Sequence, residues 1–554
     1  MHPSELPPSR RAFLAAAAAA PMLPHLLPGH GDDVEDLAAF GRLAGLEFSA
    51  PERTQAKGRL DAQRKDYAAL RAENIPFELP PCAYFDPLPP GMPPPPVGPG
   101  ASWEPPADVK LPAGDSDLAF ATVDELASLL RQKLVTSRRL TELALARLEQ
   151  FDPQLHCVVT LLKQEALAAA DARDAESAAG KWRSPLHGIP FGAKDLFAWP
   201  SAPTTFGAEP YREQVWNTTA TVLQKLTAAG AVLVAKTTLG ALAMGDLWFG
   251  GRTRNPYDPE RGSSGSSAGS CSAVAAGLLP FALGTETLGS IVSPCQQCGV
   301  GGLRPTFGAV SRAGAMPLSW TMDKVGAIAR SAVDLALVFD TIRGADAADP
   351  GTRSAAFPWR RDQPLQGLRV GVLDLQGFPR RAEDRAFVDW LEQQTGKPVK
   401  VKLPDAPYGA MLLMLHAEAA AAFDGLLRSG KLDALPGQGD GDWPNSFRAA
   451  RAIPAVEYLQ AARRRRQLVV DTEQVLAEID VLVAPTHGGP TLACTNLTGH
   501  PTCVLPVGGS DADGGRPTVL ALVGRLYGEA TLLAIAAAWQ QHHDSHRRRP
   551  KLTA

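Results

Sequence analysis

Short apolar runs rich in β-branched residues alternate with helical patterns along most of this chain. Such runs span 231–234, 368–373 and 481–483, and helical patterns span 220–228 and 333–343. Alternating strands and helices favour a sheet covered by helices, because each element must bury one apolar face against another layer. The sequence therefore predicts an α/β protein built around one large sheet.

Length and charge limit the kinds of protein this chain can be. With 554 residues, of which 45% are hydrophobic, it can bury one large core or two modest ones. Lys and Arg number 55 against 58 Asp and Glu, which gives a formal net charge of -3. A nucleic-acid surface would have to be a local patch, and the basic runs at 463–466 and 547–549 are short. We therefore predict no nucleic-acid partner.

The N-terminus carries an export pattern. The string Ser-Arg-Arg-Ala-Phe-Leu at 9–14 precedes an apolar run at 15–20, which is typical of a twin-arginine signal peptide over residues 1–30. The apolar run is far shorter than the roughly 20 residues that span a bilayer. The expectation is a protein exported to the periplasm or beyond it, with no stable membrane insertion after processing.

Two further segments precede the main domain, which we expect over 116–545. Residues 31–78 show polar helical patterns and predict a helical appendage. Residues 79–115 are crowded with proline, which fixes φ and removes backbone donors, so they predict an extended arm or linker. The aromatic residues of this segment favour an arm that packs, because a free linker gains nothing from exposed rings. They are Tyr84, Phe85 and Trp103.

A glycine- and serine-rich stretch at 261–272 turns abruptly into an apolar run at 273–279. This pattern predicts a tight loop that leads into a helix. Such a loop can bind phosphate through helix N-terminal amides, but this one lacks the Gly-Lys-Ser/Thr ending of a nucleotide-binding loop. It does not have the setting of a flexible linker, because regular apolar structure flanks it on both sides. A nucleotide site is therefore disfavoured.

Ser290 lies in a second stretch with the features of a catalytic serine. It follows Gly-Thr-Glu-Thr-Leu-Gly at 284–289, whose small residues leave backbone amides open to a carbonyl oxygen, as in an oxyanion hole. A serine hydroxyl is a poor nucleophile without a positioned base. Lys194 is the candidate base, because its apolar and glycine-rich context at 188–197 would bury the amine and lower its pKa toward neutrality.

Together these stretches resemble the amidase signature family, over nearly all of residues 116–540. The family pattern runs from a lysine in a Gly-Ile-Pro-x-x-x-Lys-Asp segment, through a Gly/Ser loop, to a Gly-Ser-Ile nucleophile segment, and all three are present here. The spacing of Ser266 in the loop and Ser290 fits the family register. Further segments that match the family lie at 253–257, 302–308, 454–458 and 496–499.

The resemblance implies a fold and a set of roles. The fold would be α/β, the amidase signature fold, with a large mixed β-sheet covered by helices on both faces. Ser290 would attack an amide carbonyl, Ser266, held by a cis peptide bond, would relay its proton, and Lys194 would be the base. Ser267 would support this network. The amides that bind the oxyanion would be those of Thr287, Leu288 and Gly289. The substrate would be a small-molecule amide, with no metal and no cofactor.

Three positions depart from the family pattern, in which the nucleophile segment reads Gly-Thr-Asp-x-Gly-Gly-Ser-Ile-Arg. They are Glu286, Leu288 and Val292. A leucine at 288 would cost roughly 1 to 2 kcal/mol if that position needs φ > 0. Without an arginine at 292, the Glu286 carboxylate lacks its expected partner, and a buried unpaired carboxylate is unfavourable. We therefore expect Glu286 to accept hydrogen bonds from a backbone amide or another basic side chain.

Two alternatives to an active hydrolase of small amides stay open. The altered segment around Ser290 is compatible with a non-catalytic binding or scaffold protein. The glutaminase subunit of a tRNA-dependent amidotransferase is the other, and the export pattern speaks against it, because its tRNA and partner subunits are cytoplasmic. The substrate is not specified by the sequence, although Met244, Trp248 and Trp320 are candidates for lining the pocket. A homo-oligomer is compatible with the sequence.

Overall fold

The computed structural model describes residues 33–72, 85–509 and 515–552. By its internal contacts the chain divides into two compact units, residues 1–74 and 75–554. Across the described ranges, no helix combines the length and the apolar character needed to cross a membrane. The domain boundaries drawn from the sequence stay predictions.

The first unit contains two helices, α1 (Asp33–Leu43) and α2 (Ala50–Ala72). The start of α2 is fixed by a short-range hydrogen bond, in which the backbone amide of Ser49 donates to the carboxylate of Glu52 at 2.7 Å. A carboxylate in the first turn also interacts favourably with the helix dipole. The predicted signal peptide at 1–30 lies outside the described residues.

Among the described residues of the second unit, eleven strands form one sheet. In spatial order they are β1 (Val158–Leu161), β3 (Val232–Thr237), β2 (Pro190–Lys194), β8 (Phe281–Glu286), β10 (Lys324–Ala329), β9 (Gly301–Arg304), β14 (Thr502–Gly509), β15 (Pro517–Gly524), β13 (Val481–Ala484), β11 (Val370–Leu373) and β12 (Val399–Val401). Four short strands form two separate hairpins. They are β4 (Leu247–Trp248), β5 (Gly251–Arg252), β6 (Arg254–Asn255) and β7 (Asp258–Gly262).

The large sheet is mixed. Strand β2 runs parallel to β3 and β8, and β11 runs parallel to β12 and β13, whereas the other neighbours are antiparallel. The apolar runs recognised in the sequence fall on β3, β11 and β13. Continuous apolar runs suit strands that are buried on both faces. The predicted α/β class with one large sheet is confirmed.

Helices connect the strands of the second unit. They are α3 (Asp115–Ala119), α4 (Val123–Arg131), α5 (Ser137–Leu155), α6 (Lys163–Ala178), α7 (Thr221–Ala228), α8 (Ala268–Ala275), α9 (Val292–Cys298), α10 (Ala332–Ile342), α11 (Ala382–Thr395), α12 (Tyr408–Met411), α13 (Leu413–Ala422), α14 (Asp424–Arg428), α15 (Trp443–Ala450), α16 (Ala455–Leu476), α17 (Thr491–Thr498) and α18 (Glu529–His542).

These helices cover both faces of the sheet, as predicted. Successive residues of a strand point to opposite faces, and along β8 Phe281 and Leu283 belong to one apolar cluster whereas Ala282 belongs to the other. Helices α4 and α10 pack into the first cluster, and α6 and α8 pack into the second. The sheet therefore lies between two helical layers, with an apolar core on each side of it.

The described part of the proline-rich arm packs against the rest of the second unit. No helix or strand is present in its described part, 85–112. The ring of Phe85 meets that of Phe307 edge to face, with centroids 5.2 Å apart, and the indole of Trp103 donates to Asp124 at 2.7 Å. The contacts of Phe85 and Trp103 agree with the prediction that the aromatic residues of the arm pack. Tyr84 lies outside the described residues.

Candidate active site

Lys194 is the last residue of β2, which runs parallel to its neighbour β8 in the sheet. Parallel strands end at the same edge, so Lys194 lies beside Thr285 near the end of β8. The Gly/Ser loop leads from the hairpin strand β7 into α8, and the segment 287–291 leads from β8 into α9. Hydrogen bonds from Lys194 to Ser266 and Thr285, and from Ser267 to Ser290, bring the two strand ends and the two loops together.

The Lys194 amine is enclosed by oxygen atoms. Its Nζ lies 2.8 Å from Ser266 Oγ, 3.2 Å from Ser267 Oγ and 2.9 Å from Thr285 Oγ1, and 3.3 Å from the carbonyl oxygen of Thr285. The side chain is fully buried. Burial disfavours the ammonium form and lowers the pKa of Lys194 to about 7. The amine is therefore close to the balance between its charged and neutral forms at neutral pH.

The loop serines are held in fixed positions around this amine. The peptide bond between Gly265 and Ser266 is cis, as the family resemblance implies. Ser267 Oγ donates to the carbonyl of Thr285 at 3.1 Å and accepts from the Thr285 amide at 3.2 Å. The Ser267 amide donates to the carbonyl oxygen of Ser290 at 3.0 Å. The structure thus brings the stretches that carry Lys194, Ser266 and Ser290 together.

The oxyanion segment has its left-handed residue at 289, not at 288. Gly289 has φ +91°, whereas Leu288 is not among the residues with positive φ. The strain that a leucine would suffer at a left-handed position therefore does not arise. The side chain of Leu288 is partly buried against the apolar cluster that contains Phe281. The departure from the family pattern at 288 is accommodated by packing.

Glu286 finds the partners that the sequence predicts. Its Oε2 accepts from the amides of Ile291 and Val292 at 2.8 and 2.9 Å, and its Oε1 accepts from Arg304 and from the Asn496 amide group, both at 2.8 Å. Burial by itself raises the pKa of the Glu286 carboxyl, but the charges of Arg304 and Lys324 and the hydrogen bonds to Arg304 and Val292 together outweigh burial, and the pKa falls to about 2. The arginine missing at 292 is thus replaced by one on β9.

A cavity that is partly open to solvent adjoins this site. It is lined by Thr285 and Thr287 of the segment that leads to Ser290. The other lining residues are Leu196, Ala243, Arg312, Ala313, Ala315, Met316, Pro317, Leu318, Trp320, Asp323, Lys324, Val325, Ala348 and Asp349.

Of the three residues predicted to line the pocket, the structure places only Trp320 on this cavity. Met244 follows a short 3-10 turn and packs partly buried against the core. Trp248 lies in the hairpin of β4 and β5, where its ring meets that of Phe249 with centroids 4.7 Å apart. Met244 and Trp248 are not among the residues that line this cavity, and their role in substrate binding stays a prediction.

Several residues of the site were not identified from the sequence. Asp323 accepts a hydrogen bond from Thr287 Oγ1 at 2.6 Å, and Arg312 pairs with Asp349 at 2.7 Å across the cavity wall. Their signal in the sequence is weak, since each is a single charged residue in an irregular segment. Only the fold brings them to the site.

Comparison with known proteins gives a family. The model of the Amidase family matches residues 139–533. The A subunit of glutamyl-tRNA(Gln) amidotransferase from Chloroflexus aggregans is 34% identical over 499 residues, which is 79% of this chain and 99% of that protein. Its counterpart from Moorella thermoacetica is 33% identical over 493 residues, again 79% of this chain and 99% of that protein.

Solved structures agree with this match. The peptide amidase from Stenotrophomonas maltophilia superposes with a TM-score of 0.69 at 30% identity, covering 78% of this chain and 98% of the other. An inhibitor-bound vestigial complex, linked to the origins of an s-triazine catabolic enzyme, superposes with a TM-score of 0.70 at 28% identity, covering 76% of this chain and 98% of the other.

The prediction of export is contradicted by the amidotransferase A subunits among the relatives. Their enzyme is named for its action on glutamyl-tRNA(Gln), and an enzyme that acts on tRNA works in the cytoplasm, where tRNA is found. The arginine pair and short apolar run at 9–20, on which the prediction rested, lie outside the described residues. The homo-oligomer stays a prediction.

Fold, site and comparison agree. The central mixed sheet with helices on both faces matches the solved amidases, and the family match takes in Lys194, Ser266 and Ser290. The chain therefore belongs to the amidase signature family and is an enzyme that hydrolyses carbon–nitrogen bonds.

Proposed function

We propose that this chain hydrolyses amides through an acyl-enzyme on Ser290, with Ser266 as proton relay and Lys194 as general base. The observation that carries the proposal is the setting of the Lys194 amine. It is fully buried, it lies 2.8 Å from Ser266 Oγ, and burial lowers its pKa to about 7. A general base works best when its pKa is close to the operating pH.

The surroundings of the amine favour acceptance of a proton from Ser266. A neutral amine has two N–H groups and one lone pair. The oxygens of Thr285 and Ser267 can take the two N–H groups, which leaves the lone pair directed at the Ser266 hydroxyl. Ser266 can then give its proton to Lys194 while it accepts the proton of Ser290.

The proposed reaction proceeds through an acyl-enzyme. Ser290 Oγ attacks the amide carbon as its proton passes through Ser266 to Lys194, and backbone amides of 287–289 stabilise the oxyanion. The same proton returns through Ser266 to the leaving nitrogen when the carbon–nitrogen bond breaks, which frees the amine. A water molecule then attacks the acyl-enzyme, gives its proton to the relay, and releases the acid as Ser290 regains its proton.

The Glu286 network supports catalysis and not a scaffold role. Glu286 holds the amides of Ile291 and Val292, the two residues that follow the nucleophile. It therefore fixes the turn that presents Ser290, although the family arginine is absent at 292.

Labelling with a fluorophosphonate tests the proposal. This probe phosphonylates serines that are activated as nucleophiles, so we expect one label, on Ser290. The label should disappear in Ser290→Ala and persist in Ser201→Ala, a matched change at an exposed position away from the site. Intact-mass measurement with peptide mapping gives the result. A folded protein that takes up no label, or that is labelled elsewhere, would refute the proposal and favour the binding or scaffold alternative.

A second candidate, the glutaminase subunit of an amidotransferase, is favoured by the curated relatives. The chain matches 99% of the length of the relative from Chloroflexus aggregans. Under this alternative the substrate amide is glutamine and the ammonia passes to a partner protein. Glutamine hydrolysis that depends on added amidotransferase partner subunits supports the second candidate, and hydrolysis of small amides by the chain alone supports the first.

A further inference from the structure

We propose that the cavity beside the oxyanion segment binds an apolar, uncharged acyl group, so that the substrates are amides of aliphatic or aromatic acids. This inference rests on the proposed hydrolysis at Ser290, because it assigns the cavity to the acyl side of the bond that is cleaved. Thr287, which precedes the nucleophile by three residues, forms part of the cavity wall.

Most of the cavity wall is apolar. Leu196, Leu318 and Val325 are buried, so their side chains are already packed and this part of the wall is preformed. The apolar residues on the wall are Leu196, Ala243, Ala313, Ala315, Met316, Pro317, Leu318, Trp320, Val325 and Ala348. Four of these are alanines, whose short side chains leave room. An acyl chain that enters this space exchanges water for apolar contacts.

The charged groups on the wall are paired with one another. Arg312 Nε and Nη2 donate to the two carboxylate oxygens of Asp349 at 2.8 and 2.7 Å. Arg312 Nη1 donates to the carbonyl of Trp320 at 2.6 Å. A charged acyl group would have to separate this bidentate pair, and breaking a buried pair is strongly unfavourable. The arginine therefore stabilises the wall and is not available to hold a carboxylate.

The adjacent acid and lysine are also engaged. Asp323 accepts from Thr287 Oγ1 at 2.6 Å and from the amides of Leu318 and Ser319 at 2.8 and 3.0 Å. Lys324 Nζ donates to the carbonyls of Met322 and Thr287. These hydrogen bonds hold the oxyanion segment and the wall. Both side chains are thus already engaged by groups of the protein and would have to give up these bonds to hold a charged acyl group.

The aromatic part of the wall is fixed from behind. Glu418 on α13 accepts from Ser319 Oγ at 2.7 Å and from the amide and hydroxyl of Thr321 at 3.0 and 2.8 Å. Arg465 on α16 donates to the carbonyl of Thr321 at 2.7 Å. Both neighbours of Trp320 are therefore tied to helices. A rigid apolar wall binds an apolar group without first having to be ordered.

A series of straight-chain acyl anilides, from acetyl to octanoyl, tests the inference on the full chain. Each buried methylene contributes about 0.8 kcal/mol, so kcat/KM should rise about fourfold per methylene until the cavity is filled. L-Glutamine should be hydrolysed much more slowly than the longer anilides. A flat or falling series, or a preference for glutamine, would overturn the inference.

Narrowing the cavity should alter the chain-length preference. Ala313→Leu places a larger side chain on the wall, so the rise in kcat/KM should stop at a shorter acyl chain. Ala179→Leu makes the same change at an exposed position outside the cavity and should leave the preference unaltered. An identical preference in the two variants would show that the acyl group binds elsewhere.

Binding to Ser290→Ala separates this inference from the proposed function. Calorimetry with primary amides of two to eight carbons measures acyl recognition without turnover, and the affinity should again rise about fourfold per methylene. If wild-type protein takes no fluorophosphonate label while this rise is seen, the proposed function fails and the cavity assignment stands. If Ser290 is labelled but affinity does not depend on chain length, only the cavity assignment fails.

Discussion

Glu286 and Arg304 form an ion pair 2.8 Å long in which both side chains are fully buried. Glu286 is the last residue of β8, which leads into the nucleophile segment, and Arg304 ends β9, one strand beyond β10. Arg304 also donates to the carbonyl of His500 at 2.8 Å. The pair therefore ties the turn that carries Ser290 to the centre of the sheet, and it does so without an arginine at 292.

Removal of the arginine should destabilise the protein strongly. Arg304→Met leaves the Glu286 carboxylate buried without its cationic partner, which typically costs about 3 to 5 kcal/mol. The free energy of unfolding, measured with urea, gives the result. Arg369→Met is the matched control, because its pair with Asp480 is partly exposed and should contribute at most about 1 kcal/mol. An equal decrease in the free energy of unfolding in the two variants would contradict a large contribution from the buried pair.

Acid should remove the contribution of Glu286 to stability. The pKa of this carboxyl falls from an ordinary 4.5 to about 2 in the folded protein, so the folded state favours the ionised form. The contribution, on the order of 3 kcal/mol, is complete above pH 4.5 and is lost as the pH falls toward 2. Wild type should therefore be more stable than Glu286→Gln at pH 6, with a difference that shrinks below pH 4.5. A difference independent of pH would contradict this.

The pH dependence of hydrolysis should report the Lys194 amine. Burial lowers its pKa to about 7, and only the neutral amine can act as the base, so kcat/KM should rise with pH through about 7 and level off above it. Lys194→Met should reduce kcat by several orders of magnitude and slow fluorophosphonate labelling of Ser290. A rise in kcat/KM near the ordinary lysine pKa would show that burial does not lower the pKa of this amine, and a rate independent of pH across this range would show that the amine is not the base.

Asp323 should act on both the oxyanion segment and the base. It holds Thr287 Oγ1 at 2.6 Å, and its negative charge raises the pKa of Lys194 against the larger lowering by burial. Asp323→Asn should therefore lower kcat roughly 10- to 100-fold, as expected of a misplaced catalytic group. It should also move the rise of kcat/KM with pH to lower pH, because the pKa of Lys194 falls when the negative charge is removed. A fall in kcat without this move to lower pH would indicate a structural role only.

The strands and the serine–lysine stretches could be predicted because their signals are local. Apolar runs indicate strands β3, β11 and β13. The apolar residues around Lys194 indicate that its amine is buried, as the structure shows. The sequence could predict that Glu286 has a basic partner, but it could not predict which residue that is. Arg304 lies near Glu286 because β9 is two strands from β8 in the sheet, with β10 between them. Sequence spacing carries no information on such sheet neighbours.

The cavity wall was the least predictable part. Met244 and Trp248 have the apolar character of pocket residues, yet neither is among the residues that line the cavity. Arg312 and Asp349 lie in irregular segments, and their pairing depends on loops whose paths no periodicity specifies. Residue type alone therefore could not separate wall residues from core residues.

Gly289, directly before the nucleophile, should not tolerate a side chain. It has φ +91°, and an added Cβ would lie 2.8 Å from Ser293 Oγ and 3.3 Å from a methyl of Leu492. Gly289→Ala should therefore cost about 1 to 2 kcal/mol in the free energy of unfolding, because L residues are strained in this backbone conformation. It should also slow fluorophosphonate labelling of Ser290. Wild-type stability and labelling in this variant would show that the position does not need glycine.

Leu288→Gly, which restores the family residue, should not stabilise the protein. Leu288 has no left-handed backbone to relieve, and its side chain packs against the core, so the change removes apolar contacts and adds backbone freedom to the unfolded chain. Thermal unfolding of this variant beside wild type gives the comparison. A higher Tm for Leu288→Gly would show that the leucine strains the segment, whereas a lower Tm with slower labelling would show that it holds the oxyanion amides in place.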